Sequence, residues 1–205
     1  MPTRRQTLFA MGNLFVASGL VGSGATGVVR SSSSASFRVV DTGGSDIELT
    51  PANDPPVHVQ TDSDGNVSAI TPGGDSDGIN TRAVTRYEDI VLLSNVGTTN
   101  IDGIYFSFEA TSDTLSATTF DSIEAVFQAT TADETLNSTG TSGDNLLTVS
   151  TDEDVTDEVL NPGDAVLFGL QIDLVPTTQT QSLEALPPSD EYDLTLRIHT
   201  EQHTN

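Results

Sequence analysis

The sequence predicts an all-β protein, a two-sheet jelly-roll-like β-sandwich with one short helix, preceded by a cleavable leader. Three observations predict it. The first is residues 161–174, NPGDAVLFGLQIDL. Asn-Pro-Gly-Asp is a turn in which Pro162 pre-sets φ and Gly163 supplies φ > 0. After it Val166, Phe168, Leu170, Ile172 and Leu174 fall on one face, and Ala165, Leu167, Gly169, Gln171 and Asp173 on the other. A period of two in such residues is a strand with one apolar face. The second observation is that the pattern recurs. Ile104, Phe106 and Phe108 alternate with Tyr105, Ser107 and Glu109, and Tyr192, Leu194, Leu196 and Ile198 alternate with Asp193, Thr195, Arg197 and His199. The third is punctuation: short apolar runs are separated by Gly, Pro and Asn turns throughout, the habit of a sandwich.

The elements follow in order. Residues 1–27 read as an export signal: Arg4-Arg5 opens it, a moderately apolar stretch rich in small residues follows, and Ser23-Gly24-Ala25 offers a cleavage site. Asn13 and several glycines interrupt it, which makes it a poor spanning helix. Residues 28–36 form a serine-rich linker or N-terminal arm, and 37–205 form the sandwich domain. SFRVVD at 36–41 is the first strand, and Gly43-Gly44 turns the chain. Residues 46–49 and 57–60 are short strands around Pro51, Pro55 and Pro56, and Gly65-Asn66 turns into 67–70. YEDIVLLS at 87–94 is a near-continuous apolar run and so a central strand. Residues 95–98 turn into the strand at 104–110. Residues 122–130 read as a strand on Ile123, Ala125 and Phe127, 135–145 as a polar loop, and 146–149 as a short strand. Residues 152–160 carry Val155, Val159 and Leu160 at helical spacing behind acidic residues, which predicts the one helix.

Composition sets the environment. In 205 residues, 30 Asp and Glu stand against 7 Lys and Arg, a net charge of −23, and every basic residue is an arginine. Such a surface repels itself unless the screening length is short, about 3 Å at 1 M salt. Excess carboxylate without lysine resembles the composition of extreme halophiles. It argues against nucleic acid, whose phosphates need cationic partners. Cysteine is absent, so packing and sheet hydrogen bonds must hold the domain, without disulfides or a thiolate metal site.

Few residues suggest chemistry. Asp62, Asp64, Asp75 and Asp77 place hard oxygen ligands in two loops and suggest calcium, although the twelve-residue calcium-loop pattern fails for want of its glycine and closing glutamate. His199 and His203 are four apart but follow a strand, and His58 lies in a proline-flanked strand. No nucleophile elbow, HExxH or phosphate loop is present. Asn66-Val67-Ser68 and Asn137-Ser138-Thr139 match the N-glycosylation sequon in loops of a chain expected to be exported.

Several stretches in order carry a resemblance: the twin-arginine leader ending in GSGATGVV, then FRVVD, GINTRAVTRYEDIVLLSNVGT, LNPGDAVLFGLQIDL and YDLTLRIHTEQ. This order resembles haloarchaeal secreted proteins of the DUF1102 type, which are similar in turn to the TasA/camelysin group of exported jelly-roll proteins, archaeal bundling pilins included. The leader departs from that group in reading ATGVV where an aromatic often follows the alanine. No camelysin-like metal-site motif is visible, so protease activity is not carried over. The resemblance implies a secreted or cell-surface structural protein without enzymatic activity or cofactor. It would self-associate, or bind other surface proteins, and meet the membrane only through its leader during export. In related pilins an N-terminal segment adds a strand to the next subunit. Here residues 26–40 would be that segment, with Phe37 and Val39 filling pockets. The alternatives are a monomeric surface module binding carbohydrate or Ca2+ and, behind it, a secreted hydrolase.

Overall fold

The organising alternation becomes strand β10, Ala165–Asp173, and Val166, Phe168, Leu170 and Ile172 are all buried. The computed structural model describes residues 37–41, 47–54, 56–72, 79–175, 183 and 185–202, and of 37–41 the backbone alone. The leader, the serine-rich segment and His203 lie outside the described residues. In chain order the strands are β1 (Phe37–Asp41), β2 (Ile47–Pro51), β3 (Val59–Thr61), β4 (Val67–Ile70), β5 (Val84–Asn95) and β6 (Ile101–Thr111). After helix α1 (Ala117–Ala125) come β7 (Phe127–Thr130), a 3-10 turn (Gly140–Ser142) and helix α2 (Leu146–Val149). Then follow β8 (Val155–Thr156), β9 (Val159–Leu160), β10 and β11 (Asp193–Gln202).

The strands form two sheets. One has the order β3-β4-β1-β11-β6-β9-β8, the other β2-β5-β10-β7. They face each other through the rows that the alternation predicts. Phe106 of β6 meets Phe168 of β10 with ring centroids 4.9 Å apart, and Phe108 meets Phe127 of β7 at 5.8 Å. Leu194, Leu196 and Ile198 of β11 join this core. Each such side chain taken from water contributes roughly 1.5–3 kcal/mol, which is how a chain without disulfides can hold. The apolar run of β5 is central, with β2 on one side and β10 on the other.

Strand β5 carries a bulge. Phe168 stands opposite Val91 and Leu170 opposite Tyr87, so Glu88, Asp89 and Ile90 face Gly169 alone. Asp89 takes φ +48 to make the detour. At the bulge the adjacent residues Ile90 and Val91 are both buried, and the alternation of faces is interrupted there. Gly169 is required opposite it, because a Cβ there would lie 2.1 Å from the Tyr87 carbonyl oxygen.

The turn before β10 docks on Asn95, which is buried. Gly163 has φ +91, as the turn demands. Gly163 N–H donates to the Asn95 carbonyl at 2.8 Å, and Asn95 N–H donates to the Asp164 carbonyl at 2.9 Å. The Asn95 side-chain amide donates to the carbonyls of Thr99 at 2.9 Å and Leu160 at 3.0 Å. One buried polar residue thus joins two turns and β9 with its hydrogen bonds satisfied.

Three expectations are corrected. Residues 152–160 are not helical; they hold the β8–β9 hairpin, with Asp157 and Glu158 at φ +54 and +63. That is the backbone of a two-residue hairpin turn, which normally announces itself by Asn-Gly. Residues 122–130 are not one strand. Helix α1 runs to Ala125, and Ile123, Val126 and Phe127, spaced three and four apart, are buried as it gives way to β7. Residues 146–149 form a single helical turn, because the Asn145 side chain caps the Leu147 N–H at 3.1 Å. The described residues therefore hold two short helices, neither where the sequence suggested one.

Candidate strand-exchange site

Strand β1 holds the last four residues, 37–40, of the segment expected to donate itself to a neighbour, whose remainder, 26–36, lies outside the described residues; β1 lies between β11 and β4. It runs parallel to β11, with Phe37 opposite Leu194, Arg38 opposite Thr195 and Val39 opposite Leu196. It runs antiparallel to β4 over Phe37↔Ile70 and Arg38↔Ala69. The β1–β11 pair is the one parallel ladder among the described residues. Leu194, Leu196 and Ile70 are buried, so Phe37 and Val39 occupy register positions beside core residues. Five residues, 42–46, join β1 to β2 in the opposite sheet.

Stretches of β6, β7 and β10 that lack a partner strand are closed by single residues from loops and helices. Opposite its β11 side, β6 pairs with β9 only at Ile101. Beyond that point Asn145 takes over: its Oδ1 accepts the Ile104 N–H at 3.0 Å and its Nδ2 donates to the Asp102 carbonyl at 3.0 Å. Thr139 bridges Ser107, and Glu124 Oε1 accepts the Ala110 N–H at 2.8 Å. On β7, Ser138 Oγ accepts the Ala129 N–H at 2.9 Å. On β10, β7 pairs only from Gly169 onward, and Asp152 Oδ2 takes the Leu167 N–H at 2.8 Å. Blocked edges of this kind keep sheets from pairing indiscriminately. None of these residues stands out in the sequence; their role appears only when the loops are seen against the strands.

The outer face of β6 and β11 is a polar row. Arg197 pairs with Glu109 through a short, two-pronged contact. His199 Nε2 is 2.8 Å from Ser107 Oγ, beneath the turn at Gly140, where a Cβ would lie 3.6 Å from the same nitrogen. The pair links β6 to β11 across the sheet. Tyr105 donates to Glu201 at 3.4 Å, and its phenol is pushed up by burial and by that carboxylate. His58, at φ +62, sets its ring edge-on to Tyr87 with centroids 4.6 Å apart.

On the other sheet, the Asp89 carboxyl at the bulge is pushed above its ordinary range. Burial is the first cause, followed by Asp152 and Glu88; Arg86 acts against it and Asp133 with it. The Arg86 guanidinium reaches the carbonyls of Thr131 and Glu134.

Of the four residues suggested for calcium, Asp62 and Asp64 are described, and they sit in one turn. Asp62 Oδ1 accepts the N–H groups of Asp64 at 2.9 Å and Asn66 at 3.0 Å, so it serves its own turn. Asp64 is exposed, and Asp75 and Asp77 lie outside the described residues. Among the described residues no three His, Cys, Asp or Glu are grouped to hold a metal ion. Of the sequon residues, Asn66 is half-buried and Asn137 exposed. No helix among the described residues is long and apolar enough to cross a membrane. Compared with known proteins, the chain matches no family model, no curated protein and no solved structure.

Proposed function

We propose that this chain is an exported, halophilic structural subunit of a cell surface or extracellular fibre, not an enzyme, and that it assembles by exchange of its N-terminal strand. The observation that carries the reading is the position of β1: an interior strand, parallel to β11, tied to the sandwich by the five residues 42–46. A slot filled by a chain's own terminal strand can be filled by the same strand of a neighbour, since the hydrogen bonds and register are identical. Exchange that does not close on itself makes a filament. The side-chain plugs at β6, β7 and β10 favour this slot over edge-to-edge pairing. The jelly-roll-like description and the resemblance to secreted DUF1102-type proteins and bundling pilins belong to the same reading. So do the leader and the surface location.

Cysteine trapping tests it, because the chain has no cysteine of its own. In Arg38→Cys/Thr195→Cys the two thiols occupy one register pair. If strands exchange, mature protein assembled in molar salt and then oxidised gives a ladder of covalent multimers on a non-reducing gel. Cross-linked monomer alone, with no fibres by electron microscopy, overturns the proposal.

A further inference from the structure

We infer that Asn137 is an N-glycosylation site and that Asn66, which matches the same triplet, is not. The inference rests on the export reading, since a lipid-linked sugar donor is met during or after passage through the membrane.

The loop after β7 presents its sequon in an alternating way. Ser138, the middle residue, is half-buried and turned to the protein, where its Oγ accepts the Ala129 N–H and donates to the Leu136 carbonyl at 3.1 Å. Asn137 and Thr139 on either side are exposed. These are the two residues a transferase must read together, the amide that is modified and the hydroxyl two positions on. The Asn137 side chain makes no hydrogen bond to a described residue, and its backbone alone braces the loop. Asn137 N–H donates to Asp144 Oδ2 at 2.8 Å, and Asp144 N–H donates to the Asn137 carbonyl at 3.0 Å. Gly143 keeps that closure open, as a Cβ there would fall 2.0 Å from the Asn137 carbonyl oxygen. The Thr139 hydroxyl has one weak partner, Ser142 Oγ at 3.4 Å.

The other sequon is arranged differently. Asn66 is half-buried, and its Oδ1 is enclosed without a hydrogen-bond partner. Val67 is buried at the start of β4, and the Ser68 hydroxyl is spent on the Gln60 carbonyl at 3.2 Å. Asp62 Oδ1 accepts the Asn66 N–H at 3.0 Å, so the residue that would carry the sugar is built into the turn.

The chemistry balances with one co-reactant, an oligosaccharide linked to a polyprenyl phosphate. Asn137 Nδ2 forms the bond to the anomeric carbon, the anomeric carbon–oxygen bond breaks, the lipid phosphate leaves with the electron pair, and one amide proton passes to the transferase base.

The test is peptide mass mapping of full-length protein from the surface and medium of its own cells. Cleavage after Glu134 and Glu153 isolates Asn137, and cleavage after Glu48 and Glu88 isolates Asn66. The expected result is hexose-sized mass increments on the first peptide, a bare second peptide, and complete loss of the increments in both Asn137→Gln and Thr139→Ala. Neither substitution touches the backbone bonds that close the loop. A cut leader with bare Asn137 overturns the inference and leaves the export reading standing. An uncut leader with bare Asn137 overturns both. Sugar on Asn66 instead overturns the argument from exposure.

Discussion

Asp152 Oδ2 accepts the backbone N–H of Leu167 at 2.8 Å and stands where β7 stops short of covering β10. A carboxylate on a strand N–H does what a partner strand would do, but it cannot propagate a sheet. Removing it leaves a half-buried donor unpaired, at a cost of about 1–2 kcal/mol. Asp152→Ala is expected to lower the denaturant midpoint in molar salt and to cause concentration-dependent association of a chain truncated before β1. Asp152→Asn, which keeps an oxygen acceptor, restores both. Unchanged stability and a monodisperse Ala variant by light scattering would remove the edge-blocking role.

Gly169 allows the bulge of β5 to approach. A methyl there would meet the Tyr87 carbonyl oxygen at 2.1 Å and Thr130 Oγ1 at 2.9 Å, and backbone on a central strand cannot yield cheaply. Gly169→Ala is expected to destabilise by roughly 3 kcal/mol or more, the range of severe core strain. Thermal unfolding in molar salt reads this directly. A loss under about 1 kcal/mol would show that the bulge can relax away.

Asp89 at that bulge has its carboxyl raised by burial and by its acidic neighbours. The folded chain therefore holds the proton more tightly than the unfolded chain. The group's destabilising contribution is present above the raised value and is relieved as pH falls through it. Asp89→Asn removes the charge while keeping a residue that tolerates positive φ. It is expected to raise the melting temperature at neutral pH, with the advantage over the parent shrinking as pH falls into the carboxylate range. An advantage that is constant with pH would show that charge is not the cause.

Tyr192 is buried, its hydroxyl has no hydrogen-bond partner, and burial pushes its pKa up to about 12. An unfolded tyrosine ionises near pH ~10. Stability from this group is intact below that value and is lost as pH rises through it toward about 12. Tyr192→Phe is expected to match or exceed the parent by up to about 1 kcal/mol at neutral pH and to lack the alkaline loss. Of three tyrosines, Tyr192 should ionise last by ultraviolet phenolate absorbance. A Phe variant clearly less stable at neutral pH would reveal a partner for the hydroxyl.

What could be read from residues alone was whatever repeats with a period of two. The rows of β6, β10 and β11 and the central place of β5 follow from side chains alternating between a wet and a dry face, a rule that needs no knowledge of partners. Gly163 at φ +91 follows from local sterics in the same way. The failures share a cause. Asp157 and Glu158 carry positive φ without the usual Asn-Gly, because pairing of Leu160 with Ile101 fixes a hairpin that local preference does not. Residues 117–125 are a helix with Ile123 as its one buried residue, too little of an apolar stripe to announce a helix in the sequence.

The sequence by itself determined the β class, the acidic surface without lysine and the absence of disulfide support, all properties of single residues or near neighbours. Only the tertiary structure decided that β1 lies parallel to β11, that Asp152, Asn145 and Glu124 close strand edges, and that Asn137 is exposed while Asn66 is half-buried. Each depends on which distant segment arrives beside which backbone, and that is set by how the two sheets bury their apolar faces together.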